Sequence, residues 1–456
     1  MKLKNLISIL LTAAVVFSPT VSQAGGPMIV GGPSFGTPGQ PITWAQGTPI
    51  RYRIDGGPLS STSTTTVISN SAGAARVQSM FQAWQNVSSA SLDIQSAGAI
   101  QSVPSQNGST SFTDGDVNTP TEFDAVSRSC DDGTQSPIVF DANGSLFSEL
   151  GLPSAVIGFA GPCKLSNGKI VSGMAVLNGQ FVDGINSGSN YELPADGFDA
   201  AFIHEFGHFL GLDHSQLNTD CYYSYPCTTD GMAGLPTMFP ILMSTEQKSL
   251  APDDIAWITA LYPKGGTTAG FGKITGVVYF YDGVSHVQGV NVIARAVDNT
   301  GTTVDESRTT AVSVVSGFKF TGNPGQSVSG TNTGGSTFGS RDPLTIGYYE
   351  MLIPPGQYTV EVEPIRTEFS GGSSVGPLDP PFPMPGINEY WHSGQNNHDP
   401  GVAAEPFSVG AGQTVPNIDF ILNNQYTRAD DSEDTTTLLI YPDIGNRPEQ
   451  SHGGAA

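Results

Sequence analysis

The chain has 456 residues, enough for two or three domains, and it carries 56 Gly, 33 Pro and only 13% charged residues. That composition favours strands and loops over long helices. The formal net charge is −23, from 18 Lys+Arg against 41 Asp+Glu, which excludes nucleic acid and anionic membrane faces as partners.

The first 24 residues end in VSQA. Lys2 and Lys4 precede an apolar run from Leu6 to Phe17, and Ser22-Gln23-Ala24 is a small-x-small stretch. This predicts a signal peptide at 1–24 and an exported, secreted protein. No later stretch is long and apolar enough to span a bilayer. Residues 25–40 are rich in Gly and Pro and are expected to be extended. Ile50, Tyr52 and Ile54 alternate with Arg51 and Arg53, the period of a half-buried strand. From Ala74 to Val87, the residues Val77, Phe81, Trp84 and Val87 fall on one helical face. Residues 96–136 read as polar and turn-rich. PIVFD, AVIGFAGP and VSGMAVLNGQF (171–181) read as strands, and Asp199 to Leu210 as a helix. In APDDIAWITALYP, Asp253 or Asp254 is expected to cap a helix with Ile255, Ile258 and Leu261 on its apolar stripe. Together these predict an α+β domain over residues 41–264.

GGTTAGFG (265–272) reads as a linker. Beyond it only strands are expected: KITGVVYFYD, GVNVIARAVD, GFKFTG, GYYEMLIPPGQYTVEVEP and PNIDFIL. Residues 273–422 therefore predict an all-β sandwich, interrupted by a Pro/Gly-rich insert around 365–400. Residues 423–456 are expected to form a mobile tail.

Four cysteines in an exported chain predict disulfides. Cys221 and Cys227 are close enough to staple a short loop, leaving Cys130 and Cys163 to pair. Four cysteines permit three connectivities, so this is a preference. No CxxC pair supports a cysteine zinc site.

HEFGHFLGLDHS, beginning at His204, places three of the seven histidines within eleven residues. On a helix, His204 and His208 lie one turn apart on the same face and can reach one ion. Glu205 lies about 100° around the axis, so it reaches a water on that ion rather than the ion itself. Gly211 tolerates the left-handed conformation that ends helices, and a turn there brings His214 to the ion. Three imidazoles with one open position make a catalytic zinc site, whereas structural sites close with a fourth protein ligand. A structural zinc would have no need of Glu205. The chemistry assembled is hydrolysis of a peptide bond by a zinc-activated water, with Glu205 as general base and then acid.

These residues resemble the long zinc motif HExxHxxGxxH of the metzincin metallopeptidases, and HEFGHFLGLDHS is similar to its matrixin branch. The resemblance spans about 41–264. It implies a twisted mixed sheet with an active-site helix and a C-terminal helix, His204, His208 and His214 as ligands of one zinc, and Met238 of PTMFP as the Met-turn. Met243 competes for that role. The resemblance also implies a substrate strand lying antiparallel to an edge strand, for which VSGMAVLNGQF is the candidate, though an ordinary sheet strand fits that stretch equally, and no tyrosine ligand, because Phe239 follows Met238. No cysteine lies between residue 25 and Cys130, so the matrixin cysteine-switch propeptide is missing. GKITGVVYF, GVNVIARAV, PPGQYTVEV and AGQTVPNIDFIL resemble the carboxypeptidase regulatory-like, transthyretin-like sandwich, which implies a folding module or a surface for an extracellular protein or glycan.

Weaker signals remain. Asp141, Asn143 and Ser145 read either as an Asx-rich turn or as half of a calcium loop that lacks its twelfth-position Glu. His286, His392 and His398 read as surface residues. The expected function is a secreted zinc endopeptidase acting on protein or peptide. A surface adhesion protein with a vestigial zinc site is the alternative, which the retained Glu205 disfavours.

Overall fold

The computed structural model describes residues 25–423 except 107–110, 187–190, 225–226, 300, 321–337, 341, 366–383, 385–387 and 397–398. The expected signal peptide, most of the 365–400 insert, His398 and the tail from 424 lie outside the described residues. The chain is a mixed α and β protein, compatible with the α+β class. It separates into two compact units, one of 43–211 and 242–250, the other of 25–42, 212–241 and 251–423. The expected linker 265–272 therefore lies inside the second unit. Residues 212–241 and 251–264 pack with the strands that follow them.

The first unit is built on one twisted sheet. Its strands are β1 (Thr43–Trp44), β2 (Ile50–Ile54), β5 (Ile94–Ala99), β6 (Pro137–Asp141), β7 (Gly158–Ser166) and β8 (Lys169–Asn178), and a small hairpin of β3 (Ser60–Ser61) and β4 (Thr66–Ile68) stands apart. The order is β5-β2-β6-β8, all parallel, with β7 antiparallel on the outer side of β8. The alternation in β2 is realised, since Ile50, Tyr52 and Ile54 are buried while Arg51 is exposed. The sheet decides between the two readings of VSGMAVLNGQF in favour of an ordinary interior strand. VSGMAVLNGQF lies within or beside β8, which is hydrogen-bonded on both sides, and the antiparallel edge strand is β7. The physical reason is in the residues. Gly173 to Asn178 are all buried, as an interior strand requires, whereas Lys164 and Ser166 of β7 are exposed.

Helix α1 (Asn70–Gln85) starts four residues earlier than the apolar spacing predicts, because the Ser69 hydroxyl caps it by accepting from the Ala72 N–H. Helix α2 (Pro120–Asp131) occupies part of the stretch expected to be turns. Its signal was present in Thr119-Pro120-Thr121-Glu122, a capping box with Pro at the first helical position. Phe123, Ala125, Val126 and Cys130 bury one face of α2 among Val139, Phe159 and Val176 of the sheet. After a short α3 (Ser145–Glu149) comes α4 (Ala195–Phe209), nearly as long as α1.

The second unit holds α5 (Asp220–Tyr223), α6 (Thr229–Ala233), α7 (Pro252–Leu261), α8 (Glu306–Thr309) and two sheets. One sheet runs β11 (Ala311–Val315), β10 (Asn291–Ala296), β13 (Gly356–Glu363), β14 (Glu389–Tyr390), with β15 (Phe407–Val409) also on β13. The other joins β12 (Tyr348–Ile353), β9 (Gly272–Tyr279), β16 (Thr414–Val415) and β17 (Phe420–Ile421). The expected strand GFKFTG is a turn as far as residue 320, its last two residues lying outside the described ones, and the strand is the preceding AVSVV, buried at all five positions. It lacks the alternation that marks a half-buried strand, so periodicity passes over it.

Two disulfides form, Cys130–Cys163 and Cys221–Cys227. The first joins the end of α2 to β7 across 33 residues, and the second closes a separation of 6. Loop-closure entropy makes the longer link the more stabilising, about 4 against about 2 kcal/mol. Equilibrium urea unfolding of the Cys130→Ser/Cys163→Ser and Cys221→Ser/Cys227→Ser double variants is expected to show the larger loss in the first.

Candidate metal centre

Helix α4 is fixed by aromatic packing within its own unit. The Phe206 ring stacks on Phe81 of α1 at 3.8 Å between centroids, and Phe81 stacks on Tyr52 of β2 at 4.8 Å. The Trp84 indole donates to the Ile203 carbonyl at 2.8 Å. The Trp44 indole donates to the Phe209 carbonyl at 2.9 Å. The latter satisfies a terminal carbonyl that the helix itself cannot. A side chain at Gly158 would strike the Phe202 ring, so glycine there lets α4 lie close against β7.

On this helix the Nε2 atoms of His204 and His208 face one another at 3.1 Å, with their rings at 89°. Two nitrogens bound tetrahedrally at the usual zinc–nitrogen length stand about 3.3 Å apart. The C-cap is Leu210, and Gly211 follows with φ 91°, its N–H donating to the His208 carbonyl at 2.9 Å. A side chain at Gly211 would strain this left-handed residue. His214 follows three residues later. The ring nitrogens of His204, His208 and His214 that could bind an ion all lie within 4.8 Å of one another. This is the one group of three or more His, Cys, Asp or Glu side chains, among the described residues, placed to hold a metal ion.

Glu205 accepts a hydrogen bond from the Ala160 N–H of β7, and burial pushes its carboxyl up to about 8. A cation nearby favours the charged form and opposes that rise. The predicted general base is thus aimed by the edge strand.

Met238 is buried in a tight turn closed by the Phe239 N–H on the Pro236 carbonyl at 3.0 Å. The Met238 carbonyl accepts from the Ser215 N–H at 2.8 Å, directly after His214. Sequence reasoning missed what holds this turn. One carboxylate of α7, Asp254, accepts from Thr237 N at 2.8 Å, Met238 N at 3.0 Å and Ala251 N at 2.7 Å. Its neighbour Asp253 accepts from Ser313 N at 2.8 Å. The competing Met243 is half-buried, and its N–H bonds the Gln247 side chain at 2.7 Å.

The remaining candidates lie elsewhere. Asp141 accepts from the Phe147 N–H at 2.8 Å and from three further backbone amides, and Asn143 accepts from Ser145 N at 3.0 Å. Their oxygens are thus engaged in an Asx-type turn that leads into α3. His392 and His286 are half-buried rather than on the surface. His392 bonds the buried Asp399 at 2.6 Å, and His286 packs edge-on against Tyr279.

Asp254→Asn is expected to cost about 2–4 kcal/mol in chemical denaturation, because an amide presents only one acceptor oxygen to three N–H donors. A second expectation concerns pH. Burial raises Asp253 to about 7 and Asp254 to about 6 from 3.8. Both bind protons more tightly folded than unfolded, so their stabilisation is complete below about 4 and is lost as pH rises through 6 and 7. The urea midpoint of chelated protein should therefore fall from pH 4 to pH 7. A rise across that window contradicts the assignment.

Comparison of the chain with family models, curated proteins and solved structures gives no match.

Proposed function

We propose that this protein is an exported, zinc-dependent endopeptidase of the matrixin-like metzincin type, with its two C-terminal sheets forming a β-sandwich of the carboxypeptidase regulatory-like kind. The observation that carries this reading is the pair of Nε2 atoms 3.1 Å apart on α4, with His214 in ligand reach and a carboxylate at Glu205. Three neutral imidazoles suit zinc and leave a position open.

A zinc ion held by His204, His208 and His214 would supply Lewis acidity to a water and to a substrate carbonyl oxygen. Glu205 would take one proton from an attacking water at its carboxylate as the water oxygen bonds the carbonyl carbon, and would give that proton to the amine nitrogen as the carbon–nitrogen bond breaks. The Ala160 N–H steers the carboxylate for both transfers. β7 is hydrogen-bonded to β8 along one side, so its other side supports docking of an extended peptide by strand addition. An extended, irregular stretch of protein substrate meets that requirement better than a folded helix. The two disulfides support an oxidising, extracellular destination.

The test is cleavage of unfolded casein by protein starting at Gly25, beside Glu205→Ala, with zinc measured on both. The expected result is one zinc in each and a loss of at least about 100-fold in kcat/KM for the variant. Zinc retained without cleavage of any peptide overturns the peptidase reading and favours an adhesion role.

A further inference from the structure

His204 and His208 are set by a helix. His214 lies outside it, and its position depends on the residues that follow. Those residues lie on one face of the β10–β11 strand pair. Along β10, Asn291, Ile293 and Arg295 alternate onto the same side. In the antiparallel register, Ile293 sits opposite Ser313 and Arg295 opposite Ala311, which places all five residues on one face.

Four successive residues after His214 meet that face. The Ser215 hydroxyl lies 3.3 Å from that of Ser313, and both residues are fully buried. The Gln216 carbonyl accepts from the Asn291 amide at 3.3 Å. Leu217 packs into a cluster with Ile293 and Ala311. Asn218, held at φ 55°, accepts from the Arg295 guanidinium at 3.0 Å. Asp253 closes the circuit. It accepts from the Ser313 N–H at 2.8 Å and also bonds the Ser215 side chain.

We propose that this face of β10–β11 is the positioning surface of the third metal ligand, so that Ser313 and Ile293 act on the metal through the backbone of 214–218. The inference rests on the zinc reading. A contact surface serving only cohesion would need apolar area. This one instead matches each consecutive residue to a partner of its own kind, hydroxyl to hydroxyl, carbonyl to amide and aliphatic to aliphatic. Such outer partners orient ligands and tune metal affinity.

The test uses the full mature chain loaded with zinc, and separately with cobalt(II). Three variants are compared with wild type: Ser313→Ala, Ile293→Val, and Phe420→Leu, a core truncation on β17 in the other sheet. Zinc release to a chromophoric chelator and the visible spectrum of the cobalt form are read. Ser313→Ala, or Ile293→Val if the first fails to fold, is expected to release zinc at least about tenfold faster and to shift the cobalt bands. Phe420→Leu should leave both at wild-type values. Wild-type release and spectra in both Ser313→Ala and Ile293→Val overturn the proposal. So does an equal change in Phe420→Leu, which marks general loosening. A wild-type protein that holds no zinc overturns the metal reading itself, and this inference with it.

Discussion

Two imidazole nitrogens 3.1 Å apart repel when both present lone pairs, and the fold is arranged to keep them there. Their spacing follows from the i, i+4 positions on one helix, and rotation or sliding of that helix would carry the pair, and Glu205 with it, away from the Ala160 N–H of β7. The Tyr52–Phe81–Phe206 stack and the two indole donors on the carbonyls of α4 prevent that motion. One tautomer's N–H, or a cation between the nitrogens, relieves that repulsion, so the packing of β1, β2 and α1 holds a histidine pair that could take a metal ion.

Sequence pattern carried a large part of this. The i, i+4 histidines are spaced by helix geometry, the glycine three residues on marks the turn that ends the helix, and together they predict the approach of His214 to the pair. Alternation likewise predicts β2, and the apolar run PIVFD predicts β6. Other elements were hidden for identifiable reasons. Helix α2 is polar outside its buried stripe, and its capping box was its clearest mark. β11 is buried on both faces and so shows no period, while GFKFTG shows one and is a turn. That β7, not β8, forms the edge follows from strand pairing, which no local pattern encodes. The Asp254 contacts join residues 16 and 17 positions apart through one carboxylate, and nothing in either segment announces the other.

Buried carboxylates recur as organisers. Asp55 accepts from Gly57, Val117 and Phe140 N–H groups, and burial raises it to about 6. Asp254 gathers three amides, and Asp253 ties α7 to β11. Asp55 and Asp254 gather amides of irregular backbone at Gly57, Val117, Thr237 and Met238, and Asp55 and Asp253 also tie into strands β6 and β11. Loops rich in Gly and Pro make such fasteners necessary, because they leave many amide groups without regular partners.

The Ser215–Ser313 contact spans 98 residues of sequence. Time is built into that separation. A chain threaded out N-terminus first presents all three histidines long before β11 emerges. Until residue 315 is available, the stretch after His214 has the Met238 carbonyl but not its partners on β11, and α7 lacks the amide that Asp253 accepts from. The candidate centre therefore waits on residues far downstream of His214, and a chain that ends before β11 carries its three histidines without the contacts that 215–218 make to that strand pair.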